Sequence, residues 1–306
     1  MVAEAVGKGA STSGIAPNCV GCGATLPGFS AVRLARLELL KCPECGGWTG
    51  WPRPTSADQV SVHVSPDYFE HPYFESRRCI TPALQRRCRR IMTDLCNALG
   101  VTSLRGERLL DIGCDTGAFL ECAAQMFGVY PVGLDVAGRS VDQAREAGIE
   151  AYCTLIENAP DSLRGFGVIT AIDVVEHVSD PRGFLTEIRA RLRPGGVAYL
   201  ETPNIYSAVY RLGRLLCHWT GARPVSIWER LFPIQHVQYF SQRGFALLVK
   251  GSGLELVKLD TRRLPWADVA VSPFLRSGVA LLQQLDRLTR QQVLLCAMVR
   301  RPPGDA

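Results

Sequence analysis

The sequence predicts an α/β fold: a doubly wound, mainly parallel sheet of seven strands, preceded by a small four-cysteine module. Three observations lead to this prediction. Short apolar runs alternate with helical patterns between residues 107 and 299, which is typical of βαβ units around a parallel sheet. A glycine-containing loop follows the first apolar run, at the position where open α/β sheets bind ligands. Two close pairs of cysteines lie near the N-terminus.

The composition is that of a globular chain. Its 306 residues are 47% hydrophobic and 21% charged, which excludes a mainly disordered protein, a collagen-like repeat and a coiled coil. The net charge of +5 is lower than dedicated nucleic-acid binders usually carry, so a nucleic-acid partner is not favoured. No apolar run reaches the roughly 18 residues of a transmembrane helix, and the first 16 residues lack a signal-peptide pattern. We therefore expect a cytoplasmic protein with mostly reduced cysteines.

The N-terminal module is predicted at residues 17–55, after a flexible tail at residues 1–16. Its four cysteines follow the pattern C-x2-C-x19-C-x2-C: Cys19, Cys22, Cys42 and Cys45. This spacing falls within the range of four-cysteine zinc sites. Glycine follows each pair, so each pair is expected to form a knuckle, and two knuckles complete a zinc ribbon with one structural zinc ion. The alternative is a pair of disulfides or a set of unrelated thiols.

Residues 56–105 are predicted to form an N-terminal cap. An aromatic cluster lies at residues 68–75, and apolar residues at helical spacing predict an amphipathic helix from Pro82 to Leu99. The other face of that helix holds four arginines: Arg86, Arg87, Arg89 and Arg90. We interpret this face as solvated; a phosphate-contacting face is the alternative.

The sheet and its helices are predicted within residues 106–306. Strands are expected at residues 107–112, 130–136, 150–154, 168–174, 197–201, 254–259 and 293–299. Helices are expected at residues 117–127, 139–147, 181–192, 242–250 and 277–289. Right-handed crossovers between parallel strands place such helices on both faces of the sheet.

A ligand-binding signal follows the first strand, in the segment DIGCDTG at residues 111–117. Glycine there lets the backbone approach a ligand without a Cβ in the way. Asp135 ends the second predicted strand, where an acidic side chain can accept hydrogen bonds from ribose hydroxyls. The pattern G-x-G-x-x-G is absent, which argues against NAD.

These motifs resemble those of class I S-adenosylmethionine-dependent methyltransferases. The segment DIGCDTGAFL resembles their nucleotide loop, with Asp115 in place of the usual middle glycine, and Asp135 resembles their second-strand acid. FGVITAIDVVEH, LRPGG and HVQYFS follow in the family's order. The last of these resembles the H-x-x-x-F-S segment of a subgroup that includes ubiquinone-pathway O-methyltransferases and enzymes of secondary metabolism. The resemblance covers about residues 68–258.

The resemblance implies a Rossmann-like fold with an antiparallel last strand, and S-adenosylmethionine as methyl donor. The acceptor implied is a small molecule, with O-methylation favoured. The residues implied to bind the cofactor lie at the ends of the first four strands: Asp111, Gly113, Asp115, Gly117, Asp135, Glu157 and Asp173.

Glu176, His177 and His236 are the candidate catalytic residues. Methyl transfer is an in-line displacement, so the protein mainly positions the acceptor and removes a proton. Some relatives hold a divalent metal on an E-x-x-E-H segment plus a histidine, and here Asp173 takes the first place. Acid–base catalysis without a metal and a purely structural role are the alternatives. The remaining histidines, His63, His71 and His218, are expected at the surface.

A lid over the acceptor pocket is predicted at residues 203–235, because an amphipathic pattern with aromatic residues follows the fifth strand. A helix lying on a membrane surface is the alternative for this insertion. Two other functions also stay open. One is an RNA or protein methyltransferase that uses the zinc ribbon for recognition, and the other is a non-catalytic binding protein on the same fold.

Overall fold

The computed structural model describes residues 17–27, 32–33, 37–65, 79–220, 232–233, 235–264 and 273–304. The predicted tail, the aromatic cluster with His71 and the middle of the predicted lid lie outside these residues. So does the side chain of His218.

The strands are β1 (Val32–Arg33), β2 (Glu38–Lys41), β3 (Trp48–Trp51), β4 (Arg108–Ile112), β5 (Tyr130–Asp135), β6 (Glu150–Cys153), β7 (Phe166–Ile172), β8 (Leu192–Pro203), β9 (Gln238–Tyr239), β10 (Glu255–Arg262) and β11 (Leu294–Arg300). The helices are α1 (Ser56–His63), α2 (Pro82–Leu99), α3 (Ala118–Phe127), α4 (Gly138–Glu146), α5 (Pro181–Arg191), α6 (Ala208–Thr220), α7 (Gln242–Gly251) and α8 (Pro273–Thr289).

The main sheet has seven strands in the order β10-β11-β8-β7-β4-β5-β6. The five strands from β8 to β6 pair in parallel, whereas β11 is antiparallel to both β8 and β10. The central strands β4 and β7 are buried over almost their whole length, as expected for strands that are covered on both faces. The predicted seven-stranded α/β fold, with its antiparallel last strand, is therefore confirmed.

A second sheet joins the four-cysteine module to the rest of the chain. Its order is β1-β2-β3-β9, and β9 comes from the chain beyond residue 235. Trp48 pairs with Tyr239 and Thr49 pairs with Gln238 in antiparallel register. The predicted boundary at residue 55 thus does not separate two sheets, because the strand that completes the module's sheet lies far along the chain.

Helix α2 begins at a Thr81 cap whose side chain accepts a hydrogen bond from the Leu84 amide, and it ends at Gly100, with a φ of 71°. The arginine face of this helix is only partly solvated. Arg86 and Arg89 are exposed, but Arg87 and Arg90 pair with the fully buried carboxylate of Glu201. A buried carboxylate without a partner carries a large desolvation penalty, which pairing with the two arginines offsets. The expectation of a solvated face was therefore wrong for Arg87 and Arg90.

Helices α6 and α8 pack against each other beside the sheet. Within the part of the chain that the structure describes, no helix combines the length and the apolarity needed to cross a membrane.

Candidate functional site

A cavity of about 410 Å³ opens at the carboxyl ends of the parallel strands. The loops after β4, β5, β6 and β7 supply part of its wall: Gly113, Asp115, Asp135, Glu157 and Asp173. Helix α1 adds Ser56, Gln59, Val60 and His63 to the wall. This is the position at which open α/β sheets bind ligands.

The loop after β4 comes close to the loop after β7. Gly113 has a φ of +77°, and a Cβ added there would lie 2.6 Å from Cγ2 of Val174. Asp115 also has a positive φ, of 47°, and its Oδ1 accepts a hydrogen bond of 3.0 Å from the Ser140 hydroxyl. Glycine is thus required at 113, whereas the side chain at 115 is held in place by a bond to α4.

The carboxylate of Asp135 is fixed by two backbone amides. Oδ2 accepts from the Asp115 amide at 2.9 Å, and Oδ1 accepts from the Ala137 amide at 2.9 Å. Burial raises the pKa of Asp135 to about 6, although the two amide bonds act in the opposite direction. The side chain therefore ties the loops after β4 and β5 together at the cavity wall.

Asp111 and Gly117 lie behind the cavity wall. The Asp111 carboxyl is buried and accepts a hydrogen bond of 2.6 Å from the Thr170 hydroxyl, and burial raises its pKa to about 8. Gly117 has a φ of +79°, and a Cβ added there would lie 3.0 Å from Cβ of Ala144. In this structure Asp111 connects the loop to β7, and Gly117 lets the loop pack closely against α4.

Asp173 lies on the cavity wall with a φ of 57°. Its amide donates to the carbonyl of Glu201 at 2.9 Å. The Arg87 guanidinium lies 3.4 Å from its carboxylate and also binds the side chain of Glu201. Arg87 therefore connects the cavity wall to the buried end of β8.

The structure brings the three candidate catalytic residues together. One ligand atom of each of Glu176, His177 and His236 lies within 4.8 Å of the others. The two imidazole rings have centroids 4.7 Å apart at an interplanar angle of 77°. His177 lines the cavity, whereas Glu176 and His236 are absent from its wall. Of the three side chains, His177 is therefore the one on the cavity wall.

Glu176 is fully buried, and its Oε2 accepts a hydrogen bond of 2.9 Å from Thr202. Burial raises the pKa of Glu176 well above its ordinary value, and the charge of Asp173 raises it further. Burial also lowers the pKa of His236 to about 3, which keeps its ring neutral. The Nδ1 of His177 lies 3.1 Å from the Gln235 carbonyl; a carbonyl only accepts, so Nδ1 donates and the lone pair is on Nε2.

These donors fit a divalent metal ion. Glu176 Oε1, His236 Nδ1 and the Tyr239 hydroxyl are among the buried side-chain atoms that have no hydrogen-bond partner in the described residues. Buried polar atoms are rarely left unpaired, and a carboxylate oxygen with two imidazole nitrogens suits Mg, Mn or Zn. The bond from His177 Nδ1 to a backbone carbonyl is also the usual support of a metal-binding histidine.

A third imidazole reaches this group from helix α1. The ring of His63 is half-buried, and its centroid lies 4.8 Å from that of His177 at an interplanar angle of 90°. The expectation that His63 is a surface residue was therefore wrong. The cavity-facing positions 56, 59, 60 and 63 share one helical face, but three of them are polar, so hydrophobic periodicity gave no signal for it.

The four cysteines also converge. Their sulfurs lie within 4.8 Å of one another, with Cys19 3.6 Å from Cys45 and Cys22 3.5 Å from Cys42. A zinc tetrahedron with Zn–S bonds of about 2.3 Å has S–S edges of roughly 3.8 Å. All four thiols are free of disulfides, so this donor set fits a zinc ion and not the disulfide alternative.

The predicted lid does not form the cavity wall in the part of it that is described. None of residues 203–216, 219, 232–233 and 235 lines the cavity. The ring of Tyr210, from α6, instead packs against Phe232 and Tyr239, with centroids 5.8 and 5.6 Å away. Among the described residues, α1 lines the cavity and this insertion does not.

Comparison with known proteins gives a consistent family. Residues 84–259 match the family model described as a methyltransferase domain. The ubiquinone biosynthesis O-methyltransferase of Nitrobacter winogradskyi is 31% identical over 161 residues, which cover 49% of this chain and 61% of that protein. The protein of the same name from Idiomarina loihiensis is 34% identical over 164 residues, which cover 51% of this chain and 65% of that protein. The chain thus spans less than two thirds of the length of either relative.

A solved structure shows the same fold. The plantazolicin methyltransferase BpumL, in complex with a triazolic desmethylPZN analog and SAH, superposes with a TM-score of 0.55 at 20% identity. The superposition covers 80% of this chain and 95% of that chain. Since the family model matches more than half of the chain, and the sheet has the expected topology, this chain belongs to the methyltransferase-domain family and has the class I S-adenosylmethionine-dependent methyltransferase fold.

Proposed function

We propose that this chain transfers the methyl group of S-adenosylmethionine to an oxygen of a small-molecule acceptor. One observation carries the proposal. A single cavity has the Gly113 and Asp135 loops at one part of its wall and His177, backed by Glu176 and His236, at another. A methyl donor and an acceptor oxygen can thus share one site, as an in-line displacement requires.

The loops after β4, β5 and β6 hold the cofactor in this proposal. Asp135 keeps lone pairs for the ribose hydroxyls in addition to its two amide bonds, since each carboxylate oxygen accepts more than one hydrogen bond. Glu157, which is exposed on the cavity wall after β6, contacts the adenine in this proposal. Asp115 and Asp173 supply carboxylates near the methionine ammonium, while Asp111 and Gly117 act by supporting the loop. When bound, the cofactor supplies a methyl carbon that its sulfonium makes electrophilic.

The acceptor side is the group of Glu176, His177 and His236. These three residues would hold a divalent ion, which lowers the pKa of a bound acceptor hydroxyl. Without an ion, His177 is the residue placed to take the acceptor proton, because it alone of the three lines the cavity. Oxygen as the methylated atom is supported by the names of the two relatives, which are O-methyltransferases.

We also propose that Cys19, Cys22, Cys42 and Cys45 hold one structural zinc ion. Their sulfur–sulfur distances and the absence of disulfides among them support it. All four ligand positions are filled by thiols, so the ion has no open position for catalysis.

A labelling experiment tests the proposed reaction. Purified protein is incubated with a metabolite extract and S-adenosylmethionine that carries an isotope-labelled methyl group, and small molecules, RNA and protein are then analysed separately by mass spectrometry. The expected result is a labelled small molecule whose methyl group is on oxygen. Label in RNA or protein alone would support the alternative in which the zinc ribbon recognises a macromolecule, and no label in any fraction would support a binding protein.

A further inference from the structure

We propose that the N-terminal arm, defined as residues 17–63, positions the acceptor-side histidines and is not a separate appendage. The arm comprises the four-cysteine module and helix α1. The term acceptor side rests on the proposed function, but the mechanical link between the arm and His236 does not.

The first contact is the pairing of β3 with β9. Strand β9 begins two residues after His236, and Val237 lies between them. The Val237 carbonyl accepts a hydrogen bond of 2.7 Å from the Gly50 amide, and the Val237 amide donates to the Glu176 carbonyl at 3.0 Å. The residue that follows His236 is therefore held between the arm on one side and Glu176 on the other.

The second contact connects β9 to the loop that carries Glu176 and His177. The buried side-chain amide of Gln238 donates to the carbonyls of Val175 and Val178, at 2.7 Å each. These two carbonyls flank Glu176 and His177 in the chain. Since Gln238 pairs with Thr49 of the arm, the loop and His236 share one support.

The cysteine knuckles lock the arm in place. The Ser241 hydroxyl donates to the Cys45 carbonyl at 2.5 Å. A Cβ added at Gly21 would lie 3.1 Å from the Gly244 carbonyl oxygen, so these two backbones are in close contact. A Cβ added at Gly46 would overlap the ring of Tyr206. Both knuckles thus pack against the chain beyond residue 200, and the arm cannot shift without moving β9 or α7.

Helix α1 brings the same arm to the other histidine. It follows β3 through a short connection and begins with a capping box between Thr55 and Asp58. Its last residue, His63, meets His177 edge to face with centroids 4.8 Å apart. The arm therefore contacts His177 directly through α1 and holds His236 through β3.

In each contact between the arm and the rest of the chain, the arm residue lies outside the part that the family model covers, which begins at residue 84, and its partner lies inside that part. The shared methyltransferase domain supplies the cofactor loops, Glu176, His177 and His236. The arm adds the support of β9 and one wall of the cavity. The acceptor side of this protein is thus built from both parts of the chain.

Substitution at the β3–β9 contact tests the link without requiring a known acceptor. A Cβ at Gly50 would lie 2.6 Å from the Val237 carbonyl oxygen, so Gly50→Ala should push the two strands apart. Gly278→Ala is the matched control, because nothing lies within 4 Å of a Cβ there. We expect hydrogen exchange in peptides covering residues 174–179 and 236–241 to become about tenfold faster in Gly50→Ala only. Exchange in β4 and β5 and the affinity for SAH should not change.

Imidazole NMR signals separate positioning from general stability. The signals of His177 and His236 should shift in Gly50→Ala and stay at their wild-type positions in Gly278→Ala. If Gly50→Ala does not fold, as judged by loss of its circular dichroism signal, Ser241→Ala serves the same comparison at lower steric cost. It removes the bond to the Cys45 carbonyl and the N-cap bond from the Gly244 amide, and Ser241→Thr, which keeps the hydroxyl, is its matched control. Unchanged exchange at 236–241 and unchanged imidazole signals in the folded variant would overturn the proposal.

Loss of the cysteine site provides a second, independent test. Cys42→Ser should accelerate exchange at 236–241 as well as within 17–51, whereas Cys153→Ser, at an exposed thiol, should do neither. Cys42→His retains a zinc ligand and should restore protection. Faster exchange confined to residues 17–51 would show that the module is an independent appendage. Because none of these readouts needs methyl transfer, the positioning role and the proposed reaction can fail separately.

Discussion

The imidazole ring of His177 meets that of His236 nearly at right angles, with centroids 4.7 Å apart, although about sixty residues separate them in the chain. A hydrogen bond between the Val237 amide and the Glu176 carbonyl holds the two segments together. His177 faces the cavity, and His236 lies behind it. These positions predict that substitutions at the two histidines and substitutions in the proposed cofactor loops have different effects.

Asp135→Ala should weaken SAH binding by about 2–3 kcal/mol, the usual worth of hydrogen bonds to a charged group. The substitution removes the ribose contacts proposed above and the two amide bonds that join the loops. Isothermal titration calorimetry measures the change. Asp142→Ala, at an exposed carboxylate on α4, is the control and should bind SAH as the wild type does. Wild-type affinity in folded Asp135→Ala would remove Asp135 from the cofactor site.

SAH affinity should decrease as the pH falls through about 6. The raised pKa of Asp135, about 6, means that the carboxyl becomes protonated in the folded protein at a pH where exposed carboxyls remain charged. Protonation removes an acceptor that the ribose hydroxyls need. Titration calorimetry between pH 5 and about 8 measures this dependence. Asp135→Asn should bind weakly at every pH, and a slope that persists in Asp135→Asn would assign the effect to another group.

The same pKa shift predicts how Asp135 contributes to the stability of the cofactor-free protein. Its pKa in the folded state is above that of an unfolded aspartate, which is about 3.9. The folded state therefore binds the extra proton between about pH 4 and 6, and the contribution of Asp135 to the free energy of unfolding is lost as pH rises through this window. The free energies of unfolding in urea of the wild type and of Asp135→Asn, compared across that pH window, isolate the contribution of Asp135. Equal pH slopes for the two proteins would contradict it.

His177→Ala and His236→Ala should each lower turnover while the affinity for SAH stays within about twofold of wild type, because neither side chain is needed by the cofactor loops. A metal role adds a requirement: a chelator should abolish activity, and Mg, Mn or Zn should restore it. A base role instead predicts a pH–rate limb in the histidine range that persists in chelator. Full turnover in His177→Ala would exclude both roles for the cavity-facing imidazole.

Purified protein should contain one zinc ion per chain, bound by Cys19, Cys22, Cys42 and Cys45. Cys19→Ser should lose that zinc, and elemental analysis of freshly reduced protein measures it. Cys79→Ser, at an exposed thiol outside the cluster, is the matched control and should keep a full complement. Zinc-free wild-type protein that is otherwise folded would reject the site.

Arg87→Ala should destabilise the fold by roughly 3 kcal/mol, the lower end of the cost of breaking a buried ion pair, because Arg90 remains 3.6 Å from the Glu201 carboxylate. Although burial acts to raise the pKa of Glu201, the charge of Arg87 and a hydrogen bond from Tyr199 hold it below its ordinary value. Arg86→Ala, one residue earlier on the exposed face, should change stability by less than about 0.5 kcal/mol. Equal midpoints of thermal unfolding for the two variants would show that Glu201 is neutralised by other means.

The sheet and the loops at the carboxyl ends of its strands could be predicted from local pattern. Buried parallel strands read as continuous apolar runs, so the predicted strand at 107–112 and the observed β4 at Arg108–Ile112 agree within one residue. The strand at 197–201 was less accurate, because β8 begins at Leu192 and continues to Pro203. The cysteine spacing also required no knowledge of the fold, since each knuckle forms within a few residues.

The sequence by itself determined most strands and helices of the seven-stranded domain, where the glycine loop lies and which four thiols form a cluster, because these depend on neighbours within a few residues. Only the tertiary structure decided that β9 joins β3, that Arg87 neutralises Glu201 and that His63 meets His177. Each of these contacts joins segments that are more than thirty residues apart in the chain. A two-residue strand, one arginine among four and one histidine on a polar helix face carry no periodic signal. The burial of the Glu201 carboxylate and the packing of the arm on the domain decide which residues these three contact. Both arise only when the whole chain has folded.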